Sequence, residues 1–162
     1  MVLTEKREIK LIIGLGNPDP EYHETYHNTG HLFIDYLKSR GYPARPNFEL
    51  LKTDVYMNQS GRYIKEALKK YKLQPEEILI VHDDADIPLG MFRLSFGRGS
   101  AGHQGVESII NALGTKNFWR LRLGIRKKRG KAGEFILKPI GRKDYSLLKE
   151  AFMAAEKVIF SI

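Results

Sequence analysis

The stretch Gly14–Gly30, GLGNPDPEYHETYHNTG, is the part of this 162-residue chain that decides its fold. It follows the apolar run Leu11–Ile13, so the sequence predicts a buried first strand that Gly14 and Gly16 end by forcing a tight turn. The turn is followed at once by groups able to hold and deprotonate a small polar ligand: Asn17, Tyr22, His27 and Asn28. A strand end that leads into such a cluster predicts a site here, with the rest of the chain as its scaffold.

The composition is that of one folded domain covering residues 1–162. Its hydrophobic fraction is 42% and its aromatic fraction 10%, which suits a single core. The chain has no cysteine, which excludes a disulfide scaffold, a cysteine-ligated metal and a cysteine nucleophile. No apolar run approaches the roughly 20 residues that a membrane span needs, and the N-terminus MVLTEKREIK has no signal-peptide core. We therefore expect a cytoplasmic protein that does not interact with membranes.

The net charge of +8 and the isoelectric point of about 9.6 favour a polyanionic partner. The basic residues are concentrated between Ile87 and Lys131, where Glu107 is the only acid. This segment contains Arg93, Arg98, Lys116, Arg120, Arg122, Arg126, Lys127, Lys128, Arg129 and Lys131. The pattern predicts a surface that faces nucleic-acid phosphates, although a solvated charged face remains an alternative.

Hydrophobic periodicity predicts strands that alternate with helices. Strands are expected at Ile9–Ile13, Ile78–Val81, Met91–Phe96 and Trp119–Ile125, with a short extended segment at Phe48–Tyr56 near a sheet edge. Helices are expected at about 25–40, 60–72 and 144–160, and directly after the glycine-rich loop Gly97–Gly105. This order predicts an α/β fold, a three-layer α/β/α sandwich around a mixed, mostly parallel twisted sheet.

Asn17 and Asp83 each follow a predicted strand, and ligands of open α/β sheets bind at the carboxyl ends of the strands. A histidine with a pKa near neutrality is a natural general base, and a carboxylate on its other nitrogen fixes its tautomer. His27 and Asp83 are therefore candidates for such a pair, with nearby asparagines to hold a carbonyl or an oxyanion. The absence of cysteine and of a serine elbow favours direct attack by water. The alternative for His27 is a helix cap or a surface residue.

Two other motifs invite readings that fail in detail. A dinucleotide-binding turn would need a third glycine where Asp19 stands, and Pro18 would break the helix start that binds pyrophosphate. A carboxylate metal site at His82–Asp86 is disfavoured because strand alternation would separate its acids onto two faces. We expect no cofactor and no metal, with Asp84 and Asp86 solvated or capping.

Five separate stretches, in the correct order over nearly the whole chain, make it resemble the bacterial-type peptidyl-tRNA hydrolase family. They are Gly14–Gly30, MNQSG at Met57–Gly61, EEILIVHDDADIPLG at Glu76–Gly90, GRGSAGHQG at Gly97–Gly105 and NFWRLRLGI at Asn117–Ile125. The resemblance implies a one-domain α/β enzyme that cleaves the ester between a peptide and the tRNA 3′ end and so recycles tRNA from stalled or aborted translation.

By position, the resemblance makes His27 the catalytic base, Asp83 the acid that holds it, and Asn17 the amide that distinguishes N-blocked from free aminoacyl groups. The residues that it implies for substrate or tRNA binding are Tyr22, Tyr56, Met57, Asn58, His103, Gln104, Arg93, Arg120 and Arg122. It implies the acceptor arm and 3′ end of peptidyl-tRNA as partner, no DNA, and a monomer.

The chain departs from the family pattern in three places. Gln104 stands where the family's GHNG motif has asparagine, and it reaches one methylene further. The connection Gly41–Tyr56 is shorter than usual, so an edge hairpin is expected to be missing. The sequence ends at Ile162 without the longer C-terminal tail of relatives, so a more open site is expected.

We therefore predict a metal-independent esterase that acts on peptidyl-tRNA. The main rival is a catalytically silent RNA-binding or RNA-processing factor on the same fold, which Gln104 and the shortened connection keep open. A nucleotide-dependent dehydrogenase is a third class, and it would be recognised by a shift in melting temperature on adding NAD.

Overall fold

The computed structural model describes residues 8–43, 46–127 and 132–161, which form a five-stranded sheet covered by helices. The strands are β1 (Leu11–Gly14), β2 (Glu49–Lys52), β3 (Ile78–Pro88), β4 (Phe92–Phe96) and β5 (Trp119–Arg126). The α-helices are α1 (Thr29–Ser39), α2 (Ser60–Tyr71), α3 (Gln104–Leu113), α4 (Ala132–Phe135) and α5 (Arg142–Phe160). Short 3-10 helices lie at Pro20–Tyr22, Tyr26–Asn28, Met57–Gln59 and Pro75–Glu77.

The strand order is β2-β1-β3-β5-β4, and only the edge strand β4 runs antiparallel to its neighbour. The predicted mixed, mostly parallel sheet is thereby confirmed, and the segment expected to be extended near an edge supplies the edge strand β2. The prediction that β3 ends at Val81 was wrong. Its pairing with β5 continues through Asp83 opposite Leu123 and Asp84 opposite Gly124, so the acidic run lies within the strand.

Two apolar clusters, one on each face of the sheet, make up the core and confirm the three layers. Leu79 and Val81 pack with side chains of α1 and α5, whereas Ile78 and Ile80 pack with side chains of α2 and α3. Because side chains alternate along a strand, Asp83 belongs to the first face and His82 to the second. Among the described helices, none is both long and apolar enough to cross a membrane.

The glycines at the two ends of the Gly14–Gly30 stretch allow backbones to approach closely, which differs from the turn-forming role predicted for Gly14. A Cβ atom on Gly14 would lie 2.3 Å from the carbonyl oxygen of Gly30, and one on Gly30 would lie 2.4 Å from that of Val81. No larger residue fits at either position without moving backbone. These close contacts allow the start of α1 to pack directly against the carboxyl ends of β1 and β3.

The first helix is shorter than the predicted span of about 25–40. It begins at Thr29, because Thr25 is extended and pairs with Pro139 in an isolated bridge. The backbone N–H of His27 then donates to the carbonyl oxygen of Ile136 at 2.8 Å. Residues 128–131 of the predicted basic loop lie outside the described residues, and the segment after them begins with α4.

Candidate active site

A cavity of about 550 Å³ opens at the carboxyl ends of β1 and β3, where the sequence predicted a site. Its walls come from the turn after β1, the 3-10 helices at residues 26–28 and 57–59, β3, and the loop before α3. Gly133, Ile136 and Leu137 add a further wall, which the sequence did not predict. No pattern in the sequence links residues 133–137 to this site, because the hydrogen bond between His27 and Ile136 joins backbone atoms.

His27 and Asp83 form the predicted pair. Nδ1 of His27 lies 2.8 Å from Oδ2 of Asp83. Both residues are buried, with exposed fractions of 8% for His27 and 3% for Asp83. Asp83 is a carboxylate acceptor, so Nδ1 carries the hydrogen and Nε2 is the nitrogen left to accept a proton. His27 lines the cavity, so this base faces the space that a substrate would fill.

The pair also sets the pKa values of both groups. Burial lowers the pKa of His27, but the charge and hydrogen bond of Asp83 outweigh burial and leave it above its ordinary value. Burial alone would raise the pKa of Asp83, yet the charges and hydrogen bonds of His27 and His103 hold it well below its ordinary value. Asp83 therefore remains ionised beside a histidine whose pKa it raises, and a carboxylate that stabilises the imidazolium suits a general base.

His103 lines the cavity, and its ring nitrogens support the His27–Asp83 pair. Its Nδ1 accepts hydrogen bonds from the N–H groups of Gly105 and Val106 at 3.1 and 3.3 Å and caps α3. Its Nε2 must then carry the hydrogen, which it donates to Oδ1 of Asp83 at 2.9 Å. Both ring nitrogens are thus engaged within the protein, and both oxygens of Asp83 have donors.

The ligand atoms of His27, Asp83 and His103 lie within 4.8 Å of one another, a spacing that suits a metal ion. These atoms are also joined by two hydrogen bonds of 2.8 and 2.9 Å. A metal ion would have to displace a proton from each histidine nitrogen to bind there.

Asn17 is held with its donor side available to a ligand. Its Oδ1 accepts from the backbone N–H of Met57 at 2.9 Å, which leaves the two hydrogens of Nδ2. Asn28 fixes the same residue from the other side, because its side chain both accepts from the N–H and donates to the carbonyl oxygen of Asn17 at 2.9 Å. Asn17 lines the cavity, so it presents N–H donors.

Asn58 and Gln104 supply two further amides to the cavity wall. Within the described ranges neither side chain has a hydrogen-bond partner, and both residues are exposed. Tyr56 is 48% exposed, and its hydroxyl donates to Asp19 at 2.5 Å. These polar groups can rotate to meet a ligand.

Two residues predicted to contact substrate offer it little surface. Met57 lines the cavity but is only 3% exposed, and a Cβ on Gly105 would lie 2.5 Å from its sulfur, so most of its side chain is packed against the protein. Tyr22 does not line the cavity. It lies in the 3-10 helix Pro20–Tyr22, where its carbonyl oxygen accepts from Thr25.

Arg120 and Arg122 are buried, so these two residues do not lie on the open basic face to which they were assigned. Arg120 donates to His82 at 3.3 Å and to the carbonyl oxygens of Arg98 and Gly99 at 3.3 and 2.8 Å. Burial and the charge of Arg122 lower the pKa of Arg120 to about 10.

Arg122 occupies a similar internal position. Its Nε donates to Asp84 and its Nη1 to Ser95, at 2.8 and 3.1 Å. Asp84, predicted to be solvated or capping, is buried by this ion pair, although it also accepts from the N–H of Asp86. Arg93, in contrast, is exposed on β4.

The fold and the cavity together define an α/β protein with a histidine–aspartate pair positioned to activate water. The chain belongs to the peptidyl-tRNA hydrolase family, whose sequence profile matches residues 11–162.

Relatives and solved structures agree with this assignment. The chain is 39% identical to the peptidyl-tRNA hydrolase of Aquifex aeolicus, over 94% of this chain and 88% of the relative. It is 38% identical to that of Lactobacillus johnsonii, over 93% of this chain and 91% of the relative. The crystal structure of peptidyl-tRNA hydrolase from Acinetobacter baumannii superposes with a TM-score of 0.84 at 32% identity, over 96% of this chain and 89% of that one.

Proposed function

We propose that this chain hydrolyses the ester bond between a peptide and the 3′ end of tRNA, with His27 as the general base. The observation that carries the proposal is the bond between His27 and the buried Asp83, which leaves Nε2 of the histidine as a proton acceptor in the cavity. Nε2 takes a proton from water as the water oxygen attacks the ester carbonyl carbon. The imidazolium, stabilised by Asp83, then returns the proton to the ribose oxygen as the ester C–O bond breaks.

The amides account for substrate selection. Nδ2 of Asn17 is a fixed donor, and it can bind the carbonyl oxygen of an N-acyl group. An aminoacyl group with a free amine lacks this carbonyl and offers a charged donor instead, which would leave Asn17 without an acceptor. Asn58 and Gln104 line the cavity, and their amide groups can donate to the ester carbonyl or the oxyanion.

The tRNA is held through its acceptor arm and 3′ end. The half-exposed ring of Tyr56 at the cavity rim offers a stacking surface for a terminal base. Arg93 remains a candidate phosphate contact because it is exposed, whereas Arg120 and Arg122 serve to position the loop and strands around the site. The protein acts as a cytoplasmic monomer in this proposal.

The test is hydrolysis of N-acetyl-aminoacyl-tRNA beside the unblocked aminoacyl-tRNA. The wild-type protein is expected to cleave only the blocked substrate. His27→Ala should lower kcat roughly 10²–10⁴-fold, the usual contribution of a general base, while tRNA binding persists. His23→Ala is the matched control, because His23 is exposed in the same stretch and does not line the cavity.

Turnover that survives in His27→Ala would rule out this histidine as the base. A wild-type protein that binds tRNA in a salt-dependent manner but cleaves neither substrate would instead favour the non-catalytic RNA-binding function. The unattached side chain of Gln104 would then be the first position to examine.

A further inference from the structure

Helix α2 carries a row of exposed cations that the sequence-based charge map did not include. Ser60–Lys72 contains five basic residues and one acid, Glu66. Four of these cations form what we term the basic row: Arg62, Lys65, Lys69 and Lys72. All four are exposed, and within residues 8–43, 46–127 and 132–161 none has a side-chain hydrogen bond or ion pair.

The basic row lies along one side of the helix. At 3.6 residues per turn, Arg62, Lys65 and Lys69 fall within roughly 60° of one another and span about 10 Å along the axis. Lys72 follows as the C-terminal cap and extends the row beyond the last turn. The opposite face of α2, with Ile64 and Leu68, is buried in the core. The charges therefore point to solvent as a strip that a polyanion could follow.

The start of this strip is rigidly tied to the cavity. Met57, whose N–H binds Asn17, lies in the 3-10 helix that leads directly into α2. The N–H of Gly61 then donates to the side chain of Ser108 at 2.8 Å, and a Cβ on Gly61 would lie 2.1 Å from the carbonyl oxygen of that serine. Asn58 lines the cavity, and Arg62 stands one helical turn beyond it.

Several cations of the segment first expected to contact phosphates are already used by the protein. Arg120 and Arg122 are buried, and Arg126 donates to the carbonyl oxygen of Asp86. Lys127 pairs with Asp144 at 3.0 Å. A phosphate that bound these groups would have to compete with existing partners. The basic row has no such competition.

We propose that the basic row binds the phosphate backbone of the tRNA acceptor arm as it leaves the cavity. The inference rests on the proposed function for the identity of the polyanion. The row supplies affinity and orientation without reading sequence, as phosphate contacts generally do. It acts on the body of the tRNA, and the chemistry at the 3′ end does not require it.

The experiment replaces all four cations of the basic row with glutamine, which keeps helix propensity and removes four charges. The matched control makes the same change at four exposed cations of α5, which include one arginine and three lysines as the row does: Arg142, Lys143, Lys149 and Lys157. Both variants are assayed for binding of deacylated tRNA between 50 and 200 mM salt. They are also assayed for hydrolysis of N-acetyl-aminoacyl-tRNA and of the same acyl ester on the trinucleotide CCA.

For the row variant, the slope of log K against log salt should become shallower by about 2.8–3.6, since each of the four lost phosphate contacts removes about 0.7–0.9. The KM for the full tRNA substrate should rise at least about tenfold, because several counterion-releasing contacts are lost together. Hydrolysis of the trinucleotide ester should stay at the wild-type rate. The α5 control should retain the wild-type slope and KM.

Equal losses in both variants would mean that net charge alone matters, and an unchanged slope in the row variant would exclude contact with tRNA. Either result overturns the inference while wild-type hydrolysis still supports the proposed function. If the wild-type protein cleaves neither ester but tRNA binding falls only in the row variant, the basic row stands as an RNA-binding surface and the proposed function fails.

Discussion

Replacing His103 with asparagine should change the basicity of His27 without weakening substrate binding. Asparagine is a good helix N-cap, so it can still accept from the N–H groups that begin α3. It is too short to replace Nε2 of His103, which lies 2.9 Å from Oδ1 of Asp83. The substitution therefore removes one donor from Asp83 and keeps the cap.

The size of the effect follows from the hydrogen bond that is lost. A hydrogen bond to a charged group contributes about 1.5–3 kcal/mol, and a buried acceptor left unpaired costs about 1–3 kcal/mol. With one donor fewer, the carboxylate of Asp83 would interact more strongly with the imidazolium form of His27. If about half of the lost interaction passes to this pair, the pKa of His27 should rise by about half a unit to one unit, at 1.36 kcal/mol per unit.

The assay is the pH profile of kcat/KM on N-acetyl-aminoacyl-tRNA. His27 must be neutral to accept a proton, so activity falls as the pH drops through its pKa, which in the wild type already lies above 6.5. The acidic limb of His103→Asn should therefore move to higher pH. The KM should stay close to that of the wild type, and unfolding in urea should show a loss of about 1–3 kcal/mol.

His103→Ala is the companion variant, because it removes the cap as well as the donor. It should show the same displacement of the acidic limb with a further loss of about 1 kcal/mol in stability. An acidic limb that stays in place while the KM rises would refute the reasoning. His103 would then contact substrate, as the sequence first predicted.

Two further predictions concern residues near the cavity. Gln104→Asn should raise kcat/KM by a few-fold, because the shorter amide side chain loses less rotamer entropy when it becomes ordered against substrate. The measurement is steady-state kinetics on N-acetyl-aminoacyl-tRNA. A fall in kcat/KM would mean that the longer reach of glutamine is needed. Burial and the charge of Lys52 lower the pKa of His31 to about 4. Between about pH 6.5 and 4, His31 is therefore protonated in the unfolded chain and neutral in the folded protein. The free energy of unfolding falls as the pH drops through this range. His31→Gln can keep the hydrogen bond to Thr53. Between pH 7 and 4.5, the free energy of unfolding of this variant, measured in urea, should fall by about 2–3 kcal/mol less than that of the wild type. Equal falls in the two proteins would contradict the prediction.

The sequence predicted the layers and the His27–Asp83 pair for identifiable reasons. Apolar residues that recur with a period of two or of 3.6 predicted most of the strands and helices. Because Asn17 and Asp83 each follow a predicted strand of a mostly parallel sheet, they were expected to lie close together, and Asn17 lines the same cavity as His27 and Asp83. It could not give the end of β3, because Asp83 and Asp84 have low strand propensity. Pairing with β5 across the sheet overrides that preference.

The roles of His103 and Met57 also lay beyond the sequence. A position in a motif gives proximity to a site, but it does not say which way a side chain faces. The direction is decided by contacts distant in sequence, such as the carboxylate of Asp83 for His103 and the close approach of Gly105 for Met57. The segment that contains Ile136 reaches the site through backbone hydrogen bonds, which leave no side-chain pattern to read.

The error over the buried arginines has a physical cause that also explains how the site is held. Alternation correctly places Arg120 on one face of β5, but it cannot tell a solvated face from one covered by α2, α3 and the loop before α3. The loop covers the guanidinium of Arg120, which donates hydrogen bonds to the carbonyl oxygens of Arg98 and Gly99 and to the side chain of His82.

Burying a charge is costly unless its donors are satisfied, so Arg120 holds the loop in the one arrangement that supplies these acceptors. The loop ends at His103, which donates to Asp83, and Asp83 in turn orients His27. The basic composition that predicted an RNA partner thus divides into two populations. Arg120, through the loop and His103, helps to position the His27–Asp83 pair, while exposed cations such as those of the basic row remain available to phosphates.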